Sequence, residues 1–404
     1  MYPLTHLKFK ADYLFDGYRF LEPQQVLITD PAGKIIEIVP ENEAGEDIQY
    51  HHGLISPGFV NAHCHLELSH MKGLIPEKTG LIDFVFNIVT QRNRITDDEI
   101  QHAIAVAENE MINNGIVAVG DICNTIATLQ QKKLGRLFYY NFIETSGWIP
   151  SIAYNRFEKS TAFLNAFEAL NSQHLLQQSF SSYAPHAPYS VSEPLWTLME
   201  PHFSGKTTTI HNQETRFEDD LFRNGTGDFV RMYQLMNIDN SFYQPSGKSS
   251  LQTYLPHLKN ARNVLLVHNT FIQQEDVEFV RQLAISLQQD IYFCLCVNAN
   301  LYIENTLPPL NLLAKYTDAI VIGTDSLASN HGLNILDELK TIHSHFPGIP
   351  VTHLLQWATA NGAAALQLQD RLGSFEKGKT PGIILLENVP EGNINPDTTV
   401  KKLL

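Results

Sequence analysis

His63 and His65 stand two apart in the run LISPGFVNAHCHL. On a strand both side chains leave the same face, which suits a shared metal ion. With 17 His in 404 residues, chance alone supplies roughly 0.7 H-x-H per chain, so the pair gains its weight from its company. His211 ends the run KTTTIHN, His268 ends NVLLVHN and Asp325 ends AIVIGTDS. Two His, a third His and an Asp make an N3O set for one zinc-type divalent ion with a position left for water. Glu214 follows His211 by three residues in TIHNQET, where a carboxylate can face that water as a general base. Its alternative reading is a helix-start Glu favoured by the helix dipole. His343 and His345 repeat the H-x-H pattern, but they close the helical stretch ILDELKTIHSHF before Pro347, where residues two apart do not share a face. They read as surface residues.

Delivering these groups to one place requires a particular architecture. Eight β-rich apolar runs alternate with helix-compatible stretches: LISPGFVNAHCHL, IVAVGDI, LFYYNFIE, FSSYAPHAPYS, KTTTIHN, NVLLVHN, IYFCLCVN and AIVIGTDS. Eight such units are the count for a closed (β/α)8 TIM barrel, and the polar chemistry falls at the C-terminal ends of the runs, which converge on one mouth. An open, doubly wound sheet is the structural alternative. Residues 1 to about 56 are short alternating segments broken by turns, and GIILLENV near the C-terminus is a similar piece. The expectation is a small β-sandwich-like domain from residues 1–56 and 375–404, with a metal-dependent catalytic barrel over 57–374. The stretch from Asn224 to Lys259, polar and turn-rich in NIDNSFYQPSGKSS, is the least regular part, either a lid or a loop leading into a helix.

Composition removes several classes of function. Lys plus Arg is 28 against 43 Asp plus Glu, a net charge of −15, which repels phosphate backbones and anionic lipid. The first residues contain no apolar signal-like core, and no window approaches the ~18 apolar residues of a membrane span. The expected partner is a small-molecule substrate, with no nucleic acid and no membrane. The expected location is the cytoplasm, and a homodimer stays open. Four cysteines are too few for a disulfide scaffold. Cys294 and Cys296 lie in a strand-like run without a second pair, and read as buried thiols. His65-Leu66-Glu67 is formally the H-x-E of the small cytidine-deaminase fold, but the P-C-x-x-C that chemistry needs is absent. H-E-x-x-H, G-x-x-x-x-G-K-[ST] and G-x-G-x-x-G are absent too. No lysine ends the fourth run, where a carbamylated lysine could bridge two metals, so one metal is favoured.

The set PGFVNAHCHLELSHMKG, YAPHAPYSVS, TIHNQET, LLVHN, IGTDSLASNHGLNILDELK, WATANGAAAL and LGSFEKGKTPGIILL resembles the amidohydrolase superfamily. Within it, the set is most similar to the cytosine, guanine and adenosine-type deaminase branch, with aminodeoxyfutalosine deaminase-like members nearest. One departure is Val297, where the family often has Pro in C-P-x-x-N. The resemblance implies a barrel with a β satellite and one Zn or Fe held by His63, His65, His211 and Asp325. It gives Glu214 proton shuttling, His268 the attacking water and departing group, and His186 a place in the substrate pocket. The implied reaction is hydrolytic deamination of an amino-substituted heterocycle, a purine nucleoside-like compound first, with Asp325 and His268 orienting the attacking water. The alternatives are hydrolysis of a cyclic amide or an aryl chloride on the same site, and a catalytically dead barrel with an assembly role. Glu67, two residues beyond His65 on the same strand parity, is expected to read ribose hydroxyls or a ring N–H. Its other reading is to hold a ligating histidine or to pair with His70 or Lys72.

Overall fold

A computed structural model describes residues 6–92, 94–172 and 179–404. Eight parallel strands follow one another in the chain: Phe59–Cys64, Ile116–Cys123, Phe138–Thr145, Phe180–Pro185, Thr207–Asn212, Asn263–His268, Asp290–Leu295 and Ile320–Ile322. The first four and the last four each form a hydrogen-bonded ladder in order. Both seams between the ladders are bridged. Ser182 Oγ donates to Thr207 O at 2.6 Å, Thr208 Oγ1 to Tyr183 O at 2.9 Å, and His211 N to His186 O at 3.0 Å. Across the other seam, Thr324 N and Asp325 N donate to His63 O at 3.0 and 3.1 Å, and Asn61 Nδ2 donates to Thr324 Oγ1 at 2.7 Å. The eight strands therefore close on themselves as a (β/α)8 barrel.

Side chains fill the barrel, as the fold requires. Val60, Ala62, Phe142, Leu265, Val267 and Val321 pack together, and Ala363, Leu366 and Leu368 join them. Helices flank the barrel, and one of them, Asp97–Asn113, starts with a capping box between Thr96 and Glu99. That motif is legible in the sequence as T-x-x-E.

The first apolar run is two strands rather than one. Leu54–Pro57 pairs antiparallel with Ile383–Glu387 near the other end of the chain, whereas Phe59–Cys64 enters the barrel. Gly58 separates them, donating its N–H to Pro381 O at 3.1 Å. Thr399–Lys402 and Tyr13–Leu14 complete this four-stranded sheet. Leu7–Lys10, Gln25–Thr29, Ile35–Pro40 and Ile48–Tyr50 make a second one. Phe9, Leu27 and Ile35 of one sheet pack against Ile55, Ile383 and Leu385 of the other. The stretch from Asn224 to Lys259 is more regular than its composition suggests. It contains the helices Asp228–Leu235 and Ser250–Tyr254 and the 3-10 turn Leu255–Leu258, and its longest irregular part is 236–249. Among the described residues no helix is long and apolar enough to cross a membrane.

Candidate active site

The strand ends deliver their polar groups to one buried cluster. The first strand carries an irregularity between Asn61 and Cys64, where three steps along it match two on its neighbour. Such a bulge re-aims the side chains beside it. The strand then stops at Cys64, and His65, at φ −113° and ψ 75°, leads into a 3-10 turn, Leu66–Met71. His63 and His65 thus reach the same place by a bulge and a turn rather than by strand parity, with ring centroids 5.0 Å apart. Gly323 makes room for His63, since a Cβ there would lie 2.8 Å from His63 Cβ and 2.9 Å from Cys296 Sγ.

Asp325 Oδ1 lies 3.7 Å from His63 Nε2 and 3.4 Å from His65 Nε2, and His65 Nε2 lies 3.3 Å from His211 Nε2. Donor atoms of His63, His211, His268 and Asp325 all fall within 4.8 Å of one another. Two of the histidines have their other nitrogen committed elsewhere. His211 Nδ1 is 2.6 Å from His186 O, which can only accept, so the proton sits on Nδ1 and Nε2 keeps its lone pair. His268 Nδ1 is 2.9 Å from Asn300 Oδ1, whose amide nitrogen donates to Thr270 Oγ1 at 2.8 Å, and this fixes the same tautomer. Asp325 Oδ2 accepts from Ser329 Oγ. Burial holds His63 and His211 below the usual imidazole range and brings His65 down to about 3. Burial thus favours the neutral rings, and those of His211 and His268 keep the Nε2 lone pair. Both ring nitrogens of His63 and Nδ1 of His65 are buried without a partner, a costly state for polar atoms. A divalent cation among the inward-facing nitrogens and Asp325 Oδ1 would satisfy those that face it, and the donor set fits one.

Glu214 Oε1 lies 3.6 Å from His268 Nε2. Burial, with Asp325 nearby, pushes its carboxyl well above the usual carboxylate range. Both residues line a cavity of about 350 Å³ that also reaches His65, His186, His211 and Asp325. His186 Nδ1 is 2.8 Å from Ser190 Oγ, and its Nε2 lies 3.6 Å from Glu144 Oε1. The cavity continues away from the cluster between Phe84, Ile88, Trp148, Met232 and Met236, with Arg92 and Arg156 on its wall. Trp148 stacks on Tyr233 with centroids 5.4 Å apart and planes at 7°, and its Nε1 donates to Asn240 Oδ1 at 2.7 Å in the 236–249 segment.

Glu67 does not take the place its spacing suggests. Because the chain turns after Cys64, strand parity no longer applies, and the side chain is not among those lining the cavity. Its Oε1 accepts from Asn124 N at 3.1 Å, and its Oε2 from Thr125 N at 3.0 Å and Thr125 Oγ1 at 2.7 Å. It anchors the loop after the second strand, pairing with neither His70 nor Lys72. The residue that sequence reasoning missed is Glu144. It is buried, lines the cavity and is held by Asn124 Nδ2 on one oxygen, while its Oε1 has no partner. Burial pushes its carboxyl up to about 7. The signal was present, because Glu144 closes the third apolar run, LFYYNFIE, at its C-terminal end. His343 and His345 lie in the last turn of the helix Ile335–His345, and Cys294 and Cys296 are free, buried thiols.

Comparison with known proteins sets this site in a family. Residues 54–403 match the family described as the amidohydrolase family. A 5-methylthioadenosine/S-adenosylhomocysteine deaminase of Syntrophomonas wolfei is 23% identical over 402 residues, covering 93% of this chain and 83% of its own. Among solved structures, Helicobacter pylori aminofutalosine deaminase in complex with methylthio-coformycin aligns with a TM-score of 0.77 at 22% identity, over 94% of this chain and 92% of that one. An adenosine deaminase from Xanthomonas campestris with bound zinc aligns at a TM-score of 0.69 and 19% identity, over 96% and 86%. The structural likenesses establish the shared fold.

Proposed function

This chain belongs to the amidohydrolase family, and from that premise we propose that it hydrolyses the amino group of a purine nucleoside-like compound to an oxo group, releasing ammonia. The observation that carries this is the convergence of His63, His65, His211, His268 and Asp325, with Glu214 3.6 Å from His268, at the polar end of a cavity about 350 Å³ in volume. The named activities of the relatives, deaminases of adenosine derivatives, support the same reading. We also propose that residues 1–56 and 375–404 make up a small β domain and 57–374 the catalytic barrel.

His63, His65, His211 and Asp325 would hold one divalent ion. Zinc is the assignment, on the N3O donor set and on the zinc in a neighbour of the same fold, with iron as the alternative. Such an ion would lower the pKa of water bound to it and so would make a nucleophile available at neutral pH. Glu214 accepts the proton leaving the attacking water and delivers it to the ring nitrogen beside the attacked carbon, which makes that carbon electrophilic. After addition, the same carboxyl moves the second proton from the new hydroxyl to the departing amine, so water plus amine yields the oxo product plus ammonia. His268, whose Nδ1 is held by Asn300, would direct Nε2 at the attacking oxygen, and Asp325 would help to orient it. Glu144 and His186 present a carboxyl oxygen and a ring nitrogen to the cavity, and we assign them to a sugar hydroxyl. The apolar wall of Phe84, Ile88, Trp148 and Met232 suits a 5′ substituent.

The deciding experiment incubates zinc-loaded protein with adenosine, 5′-methylthioadenosine, S-adenosylhomocysteine and adenine, and measures ammonia. Release from at least one nucleoside, abolished by Glu214→Gln, is the expected result. Failure on every aminopurine, together with chloride release from a chlorotriazine or opening of a cyclic amide, would replace this reading with the corresponding hydrolase.

A further inference from the structure

Behind the cluster, on the outer side of the barrel wall, lies a buried ion pair that the reaction does not use. Lys132 ends the short helix Leu129–Lys132, and its Nζ lies 2.5 Å from Asp121 Oδ2, with side chains 1% and 0% exposed. Removing two charges from water is unfavourable unless every remaining donor and acceptor is satisfied. Here they are satisfied. Lys132 Nζ also donates to Asn141 Oδ1 at 2.7 Å and contacts Cys123 Sγ at 3.4 Å. The rings of Tyr139 and Phe167 flank it at 4.7 and 4.8 Å. The other oxygen of the pair, Asp121 Oδ1, accepts from Leu66 N at 2.9 Å. That N–H belongs to the peptide directly after His65, where the strand gives way to the turn.

We propose that Lys132 and Asp121 are positioning residues for the metal centre: the lysine holds the carboxylate in place, and the carboxylate pins the Leu66 N–H and hence the orientation of His65. The inference rests on the reading of His65 as a metal ligand. A second tie supports it, because Glu67 accepts from Asn124 N and Thr125 N, so the loop that leads to Lys132 grips the 65–67 turn at two points. A pair serving stability alone can often be exchanged for well-packed apolar side chains without penalty. A positioning pair cannot, because no apolar residue accepts the Leu66 N–H.

Two double variants separate these roles, and neither leaves a buried lone charge. Asp121→Asn/Lys132→Met keeps an acceptor for Leu66 N, whereas Asp121→Leu/Lys132→Met removes it. Zinc affinity is measured by competition with a chromophoric chelator, and folding by circular dichroism. The first variant should bind zinc within about threefold of wild type. The second should bind ~10–100-fold more weakly, the usual cost of losing a group that orients a ligand, while remaining folded. Wild-type zinc affinity in both, or equal loss in both, would overturn the proposal. Should either variant fail to fold, hydrogen exchange decides in the wild-type protein. A Leu66 amide exchanging as slowly as the barrel strands supports the anchor, and one exchanging as fast as exposed loops refutes it. Absence of stoichiometric zinc in wild type would instead sink the metal reading itself, and is thereby distinguishable.

Discussion

Glu67→Gln separates what residue spacing suggests from what the structure shows. Glu67 is 4% exposed, and its two oxygens take three hydrogen bonds from Asn124 and Thr125. A glutamine can turn its single carbonyl oxygen towards Thr125 and retain two of them. Its amide nitrogen then faces the Asn124 N–H, donor against donor. One lost bond with an unpaired donor costs ~1–3 kcal/mol. With an unfolding entropy of about 2.1 cal/mol/K per residue over the whole chain, that corresponds to a fall in Tm of roughly 1–4 °C. The assay pairs thermal or urea unfolding with kcat/KM on a nucleoside and on its free base. The expected outcome is lower stability, with the two substrates affected by the same factor, because Glu67 touches neither. A nucleoside-selective loss of ~1–3 kcal/mol at unchanged stability would mean that Glu67 reads the sugar after all, and that its loop contacts are incidental.

Three further outcomes are expected. Elemental analysis should find one divalent ion per chain in wild type and a large loss in His63→Ala; a stoichiometry near two would refute the single-ion site. Glu214→Gln should retain metal and fold while turnover drops ~10²–10⁴-fold or more, since one carboxyl serves both proton transfers; activity within about threefold of wild type would return Glu214 to a helix-start role. Glu144→Ala should lower kcat/KM for nucleosides by ~1–3 kcal/mol and leave the free base nearly unaffected; an equal loss on both would place Glu144 with the chemistry at the ring instead of the sugar.

Much of this was legible from residue types because a parallel barrel converts sequence position into spatial position. A polar residue at the end of an apolar run arrives at the mouth whatever the loops do, so His211, His268 and Asp325 could be placed without knowing any helix. Glu144 obeys the same rule at the end of Phe138–Thr145. It was passed over because a single carboxylate beside no recognised motif looks like an ordinary strand terminus. Glu67 failed for the opposite reason. Period-two reasoning holds only while the strand lasts, and nothing in HCHLEL announces that it ends at Cys64. The Lys132–Asp121 pair was illegible in kind, since a lysine in a polar stretch reads as solvated, and its burial depends on the packing of Tyr139 and Phe167 around it.

Backbone conformation at the mouth is the part that no pattern encodes. His268, Asn269 and Asp325 adopt φ of 74°, 58° and 57°, a left-handed region where side-chain-bearing residues cost of order 1–3 kcal/mol each. The chain turns sharply at these points. Neighbouring bonds hold the conformation in place. Asn269 Nδ2 donates to Leu266 O at 2.7 Å, Asn212 Nδ2 to Asn269 Oδ1 at 3.0 Å, and Asp325 N to His63 O at 3.1 Å. Two residues before Asp325, Gly323 leaves the space that His63 fills. A glycine at 269, where the left-handed φ would be free, would relieve the backbone yet lose both side-chain bonds. The left-handed backbone at the sixth strand's end is therefore coupled to the side-chain bonds of Asn269, next to His268, whose own ring is held by Asn300.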